Sequence, residues 1–366
     1  MQNPSIVLYA PRTASLEDRP LPAAPGPHDV VVRIAFVGVC GSDVHFWRHG
    51  GISHPLPPSG LVMGHEASGT VSSVGAAVTR VSVGDAVAVE PGVPCRRCKM
   101  CVRGEYQLCG GMRFAAAPGA PGKTRKIEGR TPDTHGALAK YFVVPEELVY
   151  RLDGVGLQEG VLVEPAAVAV HAVRLGRVEA GETVVIMGSG TVGLLCAAVA
   201  RQFGAHRVLL VDILERKLEF ARGWLGVETF CADTTTAPEE DAERMLAQFG
   251  LSEGDIDTVI EASGAASSVN MGVRLVRPGG KYVQVGVGQA KIEFPIVAVS
   301  NKELLFRGCF RYGPGDFELA LKFIAKGLIQ VKPLISSVTP FEDATEAWEK
   351  TARGEGIKNL IEGVKD

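Results

Sequence analysis

The chain has 366 residues, 46% of them hydrophobic and 22% charged, with a formal net charge of −3. That length favours two domains over one, and the balance is that of a globular protein without the basic surface that recruits nucleic acid or an anionic membrane. No basic segment followed by a long apolar run opens the sequence, so no secretory leader is expected; the most apolar stretch, 161–172, is too short to span a bilayer and is broken by Glu164 and Pro165.

The first part of the chain is rich in Val, Gly and Pro, with short alternating runs. Segments 30–36, 67–75 and 85–90 read as strands, helical periodicity is scarce, and a β-rich, barrel-like domain is expected. Residues 115–136 combine Gly, Pro and basic side chains without an apolar period and read as a long surface loop. The texture changes near Asp153. Strands at 183–187, 207–211, 257–261 and 281–285 alternate with helices at 191–203 and 215–224, the pattern of a doubly wound parallel sheet. Helices at 317–326 and 341–352 are expected to return to the first domain. The expected domains are therefore 1–153 with 306–366, and 154–305.

Four cysteines, Cys95, Cys98, Cys101 and Cys109, have the spacing Cys-x2-Cys-x2-Cys-x7-Cys. Four thiolates so spaced can close a tetrahedron around one zinc, and such a closed site is structural. Cys40, Cys196, Cys231 and Cys309 are scattered singly in apolar surroundings, which argues for a metal cluster rather than disulfides and for a reducing, cytoplasmic setting. Cys40, His65 and Glu66 are candidate ligands of a second, catalytic zinc with a position open to water or substrate. Each alone suits a buried cysteine or a loop histidine. Glu164, a charge within an apolar run, needs a partner, and a metal or its water is the economical one.

Gly188-x-Gly190-x-x-Gly193 follows a strand and opens a helix, and Asp212 ends the next strand. The glycines let a pyrophosphate approach the helix amino terminus. Asp212 is placed to accept both adenosine ribose hydroxyls and repel a 2′-phosphate, favouring NAD over NADP, although Arg216 and Lys217 nearby can tolerate a phosphate. These features together imply a zinc-dependent dehydrogenase. Ser42 and His45 then suit a relay that carries the alcohol proton outward, but the pattern fits a turn serine and a surface histidine equally well.

The segments 38–47 (Gly-Val-Cys-Gly-Ser-Asp-Val-His-Phe-Trp), 63–69, 163–171 and 308–313 (Gly-Cys-Phe-Arg-Tyr-Gly) resemble the zinc-containing medium-chain dehydrogenases, in particular their polyol branch of sorbitol, xylitol and L-arabinitol dehydrogenases. The resemblance covers essentially the whole chain. It implies a GroES-like catalytic domain with a Rossmann cofactor domain, and a homotetramer or homodimer. It implies Cys40, His65 and Glu66 as catalytic zinc ligands, with Glu164 at the metal or its water where simple alcohol dehydrogenases have a cysteine. Phe46, Glu164, Arg311 and Tyr312 match residues that face the polyol. Val192, Asp212, Lys217, Val285, Gly286, Val287, Cys309, Phe310 and Arg311 match cofactor contacts. The expected activity is NAD-dependent oxidation of a polyol secondary hydroxyl to a ketose. Xylitol to D-xylulose leads, and L-arabinitol or sorbitol is the alternative. Phe46 stands where several sorbitol dehydrogenases have tyrosine, and the 119–134 loop is longer than the family's usual connection. A dehydrogenase fold kept as a silent binding protein is the competing class, and the complete set of Cys40, Ser42, His65, Glu66 and Asp212 opposes it.

Overall fold

The computed structural model describes residues 2–21, 24–52, 54–119 and 133–365. Its elements in chain order begin with β1 (Asn3–Ala10), β2 (Thr13–Arg19), β3 (Asp29–Gly38), α1 (Gly41–His49), β4 (Leu61–Val62), β5 (Glu66–Val74), β6 (Ala86–Val89), β7 (Gly92–Val93), α2 (Lys99–Val102), β8 (Arg113–Phe114), β9 (Tyr141–Pro145), β10 (Val149–Arg151) and α3 (Leu157–Gly160). There follow α4 (Val163–Leu175), β11 (Thr183–Met187), α5 (Thr191–Gln202), β12 (Arg207–Asp212), α6 (Glu215–Leu225), β13 (Glu228–Cys231), α7 (Pro238–Phe249), β14 (Thr258–Glu261), α8 (Ala266–Leu275), β15 (Lys281–Gln284), α9 (Ile296–Asn301) and β16 (Leu305–Gly308). The chain closes with α10 (Asp316–Ala325), β17 (Ile335–Thr339), α11 (Ala344–Ala352) and β18 (Lys358–Glu362).

The chain forms two compact units, Met1–Glu164 with Gly313–Asp366, and Pro165–Tyr312. Both divisions fall later than the 153/154 and 305/306 boundaries expected from sequence. The reasons are local: α3 packs on β3, β5 and β6 of the first unit, and β16 is hydrogen-bonded to β15 of the second.

In the first unit, β3 is the hub of a seven-stranded sheet of order β10-β6-β5-β3-β18-β17, with β9 also on β3. Val30, Val32 and Ile34 alternate inward along β3, as a strand with one buried face requires. They join a core that includes Leu8, Met63, Val87, Leu138, Phe341 and Trp348. The last strand, β18, pairs antiparallel with β3 and brings the carboxy-terminal segment beside the strand that leads to Cys40. This unit holds a nine-residue helix, α1, where sequence suggested little helix. The run 41–49 has a low apolar periodicity, and its start is fixed by the Asp43 side chain accepting from the Cys40 backbone N–H at 2.9 Å.

The 115–136 segment is not all surface. Ala115 and Ala116 are buried, Ala117 and Thr134 form an isolated bridge, and the Gly136 N–H donates to the Val62 carbonyl. The remainder of that expected loop, 120–132, lies outside the described residues.

The second unit is a six-stranded sheet of order β13-β12-β11-β14-β15-β16, parallel throughout. Its strands run in the sequence sense 3-2-1-4-5-6, the doubly wound order that binds dinucleotides where the order reverses. Val184, Val185, Ile186, Leu209 and Leu210 are fully buried, the continuous apolar signature of a sheet covered on both faces. Cys231, at the end of β13, is exposed and not in apolar surroundings as expected.

Candidate active site

The donor atoms of Cys40, His65 and Glu66 lie within 4.8 Å of one another. Three backbone features bring them together. Cys40 caps the amino end of α1, just past β3. Gly64, with φ +88°, turns the chain just before His65, and Glu66 opens β5. Glu66 pairs across the ladder with Gly38, where an added Cβ would stand 2.2 Å from Glu66 Oε2. Only glycine leaves the carboxylate room to cross β3 and reach the cluster.

The surroundings are buried and heavily charged. Asp43 is 2% exposed, and its Oδ1 has no hydrogen-bond partner among the described residues and stands 3.6 Å from His65 Nδ1. A carboxylate behind an imidazole is the usual means of orienting a metal-binding histidine. Burial opposes a charged imidazole at His65, but Asp43, the Cys40 sulfur and Glu164 outweigh it and hold its pKa well above the usual value. Glu164, buried in the first turn of α4, has its carboxyl pushed up to about 8, chiefly by burial and also by the charge of Glu66. It is not among the three convergent donors.

Two participants carry no sequence signal. Asp43 reads as an ordinary turn acid until α1 is built. Lys358 lies far along the chain, yet its ammonium donates to both Glu66 oxygens, at 2.9 and 2.6 Å, and to the Val39 carbonyl at 3.0 Å. Ser42 and His45 are half-buried on α1, three residues apart. Phe46, expected to face a substrate, is 7% exposed and belongs to the apolar core of the unit, because its turn of α1 packs inward.

Cys95, Cys98, Cys101 and Cys109 form the second cluster, their sulfurs also within 4.8 Å of one another, and every cysteine of the chain is unbridged. Arg96, at φ +61°, makes the tight turn between the first two, and Cys98 caps α2. The Cys95 thiol is lowered to about 6, first by the Arg97 N–H, whereas Cys101 is pushed up to about 12 by burial and its neighbouring thiols. Four sulfurs this close ionise together only around a cation, and an all-sulfur set suits zinc. The lobe is tied to the body by Tyr106, whose hydroxyl donates to Glu90 at 2.6 Å; Tyr150 donates to the other Glu90 oxygen at 2.7 Å.

In the second unit a cavity of ≈ 150 Å³ is lined by Gly188, Asp212, Ile213, Asp233, Thr234, Ser263 and neighbours. Gly188 has φ +99°, and a Cβ on Gly193 would lie 1.8 Å from the Gly188 carbonyl oxygen, so the turn demands both glycines. Among the described residues, a Cβ on Gly190 meets nothing within 4 Å and the buried Ser189 hydroxyl has no hydrogen-bond partner. That open space at the amino end of α5 fits a pyrophosphate. Asp212 accepts from the N–H groups of Ser189 at 2.7 Å and Leu214 at 3.0 Å, which fixes its carboxylate at the cavity wall. Lys217 is half-buried on α6, and Val192 is half-buried in the first turn of α5. The N–H groups of Val285 and Gly286 donate to the Glu261 carbonyl, while Val287 is exposed. Cys309 donates its N–H to Gln284, Phe310 is exposed beneath the Arg311 guanidinium at 4.5 Å, Arg311 has φ +59°, and Tyr312 is buried.

The alcohol dehydrogenase GroES-like domain matches residues 26–154, and the zinc-binding dehydrogenase domain matches residues 191–326. The chain belongs to the zinc-binding dehydrogenase family. As a member it is an oxidoreductase, and its two units carry the family's two domains. A Neosartorya fischeri protein named "Probable D-xylulose reductase A" is 47% identical over 366 residues, covering 100% of this chain and 98% of its own. The D-xylulose reductase A of Aspergillus niger is 46% identical, covering 99% and 97%. Among solved structures, an Escherichia coli oxidoreductase/dehydrogenase of unknown specificity superposes with a TM-score of 0.88 at 30% identity, covering 100% of both chains. Among the described residues no helix is long and apolar enough to cross a membrane.

Proposed function

We propose that this zinc-binding dehydrogenase oxidises a secondary hydroxyl of an acyclic polyol to a ketone with NAD, with xylitol and D-xylulose as the leading pair. The observation that carries the reading is the convergence of the half-buried Cys40 sulfur with the buried His65 imidazole and Glu66 carboxylate, in a chain whose relatives of 46–47% identity are named for D-xylulose. L-Arabinitol and sorbitol are the alternative substrates.

Cys40, His65 and Glu66 are the residues that would hold the catalytic zinc, and Cys95, Cys98, Cys101 and Cys109 the structural one. Bound there, the catalytic ion would supply a Lewis acid for the substrate hydroxyl, and NAD held by the second unit would supply the hydride acceptor. Asp43 steadies the His65 ring from behind. Glu164 supplies a buried carboxyl able to exchange a proton or accept a hydrogen bond from the polyol or a water. Ser42 and His45, both half-buried on α1, would carry the alcohol proton toward solvent, the serine hydroxyl accepting it first and the imidazole passing it on. Asp212 receives the adenosine ribose hydroxyls, and its charge disfavours a 2′-phosphate. The products are the ketose, NADH and one proton.

Initial rates with xylitol, L-arabinitol, sorbitol and ribitol, each with NAD and with NADP, test the reading. Highest kcat/KM for xylitol with NAD is expected. Preference for NADP, or no turnover of any polyol, would overturn it.

A further inference from the structure

The Lys358–Glu66 pair has a use beyond holding two strands together. Both side chains are almost fully buried, at 3% and 2% exposure. Lys358 has three N–H donors and three acceptors: both Glu66 oxygens and the Val39 carbonyl. Its backbone is fixed as well, because β18 pairs with β3 and the Val39 N–H donates to the Asn359 carbonyl. The ammonium is thus a fixed cation lodged against a carboxylate that also converges with Cys40 and His65.

We propose that Lys358 is a built-in counter-ion of the catalytic metal pocket: it neutralises Glu66 when no metal is bound, competes with zinc for that carboxylate, and so sets how readily the pocket releases its metal. The proposal rests on the reading that Cys40, His65 and Glu66 bind zinc. Lys358 is a positioning residue in this scheme, since it acts through Glu66.

Metal binding and the stability of the pocket form a thermodynamic cycle. Without metal, loss of the ammonium strands a buried carboxylate, which is strongly destabilising. With metal bound, Glu66 keeps a cationic partner and the same loss costs much less. A change that destabilises the empty pocket more than the filled one must tighten binding by the difference. Removing a like charge near a divalent ion acts in the same direction. The other ionisable groups facing Lys358 are Cys40 and Glu164, with Asp43 nearby; the substitution leaves these residues in place, and loss of the ammonium raises the Asp43 and Glu164 carboxyls further, so Glu66 is the carboxylate it strands.

The test follows zinc release from the loaded enzyme into excess chelator, with metal counted per chain. Wild type should hold two equivalents, one lost in Cys40→Ser. Lys358→Met, and Lys358→Gln should the methionine variant not fold, should release that equivalent more slowly, by about tenfold or more. The melting temperature of either variant should drop more after stripping than when loaded. Lys358→Arg, which keeps the charge, should restore near-wild-type release. Unchanged or faster release in Met or Gln, with equal melting losses in both states, overturns the counter-ion role and leaves Lys358 merely structural. If wild type and Cys40→Ser hold the same zinc, the metal reading itself has failed, which is a separate outcome.

Discussion

Gly38→Ala is the smallest change that reaches the metal cluster from outside it. A Cβ at this position lies 2.2 Å from Glu66 Oε2 and 2.7 Å from Val161 Cγ1. Neither neighbour can simply step aside. Glu66 is held at both oxygens by Lys358, at 2.9 and 2.6 Å. Strand β3 cannot shift either, because Gly38 is paired with Glu66 on one side and Leu360 on the other. Overpacking a filled interior costs about 1–3 kcal/mol. Parting a buried ion pair adds up to about 3–5 kcal/mol when nothing relaxes. With partial relaxation we expect a loss of about 2–4 kcal/mol, with weaker retention of the zinc held by Cys40, His65 and Glu66. Gly41→Ala is the control, since a Cβ there meets nothing within 4 Å. Its stability should stay within about 0.5 kcal/mol of wild type. Urea unfolding and zinc content per chain are the assays. A Gly38→Ala protein with wild-type stability and wild-type zinc retention would refute the close packing of Gly38 against Glu66.

Cys98→Ser should lose about one zinc equivalent together with stability, because structural zinc binding is folding free energy; full metal content with unchanged melting would contradict this. Asp212→Ala should weaken NAD binding by a few kcal/mol at most, on the order of 2–3, and narrow the gap to NADP; titration of both cofactors decides. Glu164→Gln should lower turnover by roughly 10–100-fold with NAD affinity nearly unchanged. The same variant tests the pKa. The Glu164 carboxyl is pushed from 4.5 to about 8, so in metal-stripped protein the native state keeps a proton that the unfolded chain releases. Its contribution to stability is therefore full below the ordinary value and is lost as pH rises toward 8, and His65, also raised, acts in the same sense above its usual value. Urea midpoints at about pH 5 and about pH 8 should separate less in Glu164→Gln than in wild type; equal separations would remove Glu164 from the buried cluster.

The doubly wound unit was legible because its strands are continuous apolar runs and its glycines stand at positions where the backbone turn allows no Cβ, as at Gly193. The zinc lobe was legible for a different reason: its four ligands are local in sequence. Helix α1 was not, since its start depends on a single acid, Asp43, reaching back to the Cys40 N–H. The short strand β13 and the edge strand β16, whose residues are largely exposed, gave no buried alternation to read. Lys358 was invisible because its partner Glu66 is 292 residues away and only the β18–β3 pairing brings them together. Phe46 faces the polyol only by resemblance; the structure shows it packed in the apolar core of the first unit.

The central claim is that Cys40, His65 and Glu66 carry a zinc on which polyol oxidation depends. The most direct measurement is NADH formation from xylitol by the same preparation before stripping, after removal of the chelator-labile zinc, and after zinc is restored, with Cys40→Ser run in parallel. The account predicts that activity falls with that one equivalent, returns with it, and is absent throughout in Cys40→Ser. Undiminished xylitol oxidation in the stripped enzyme or in Cys40→Ser would contradict it.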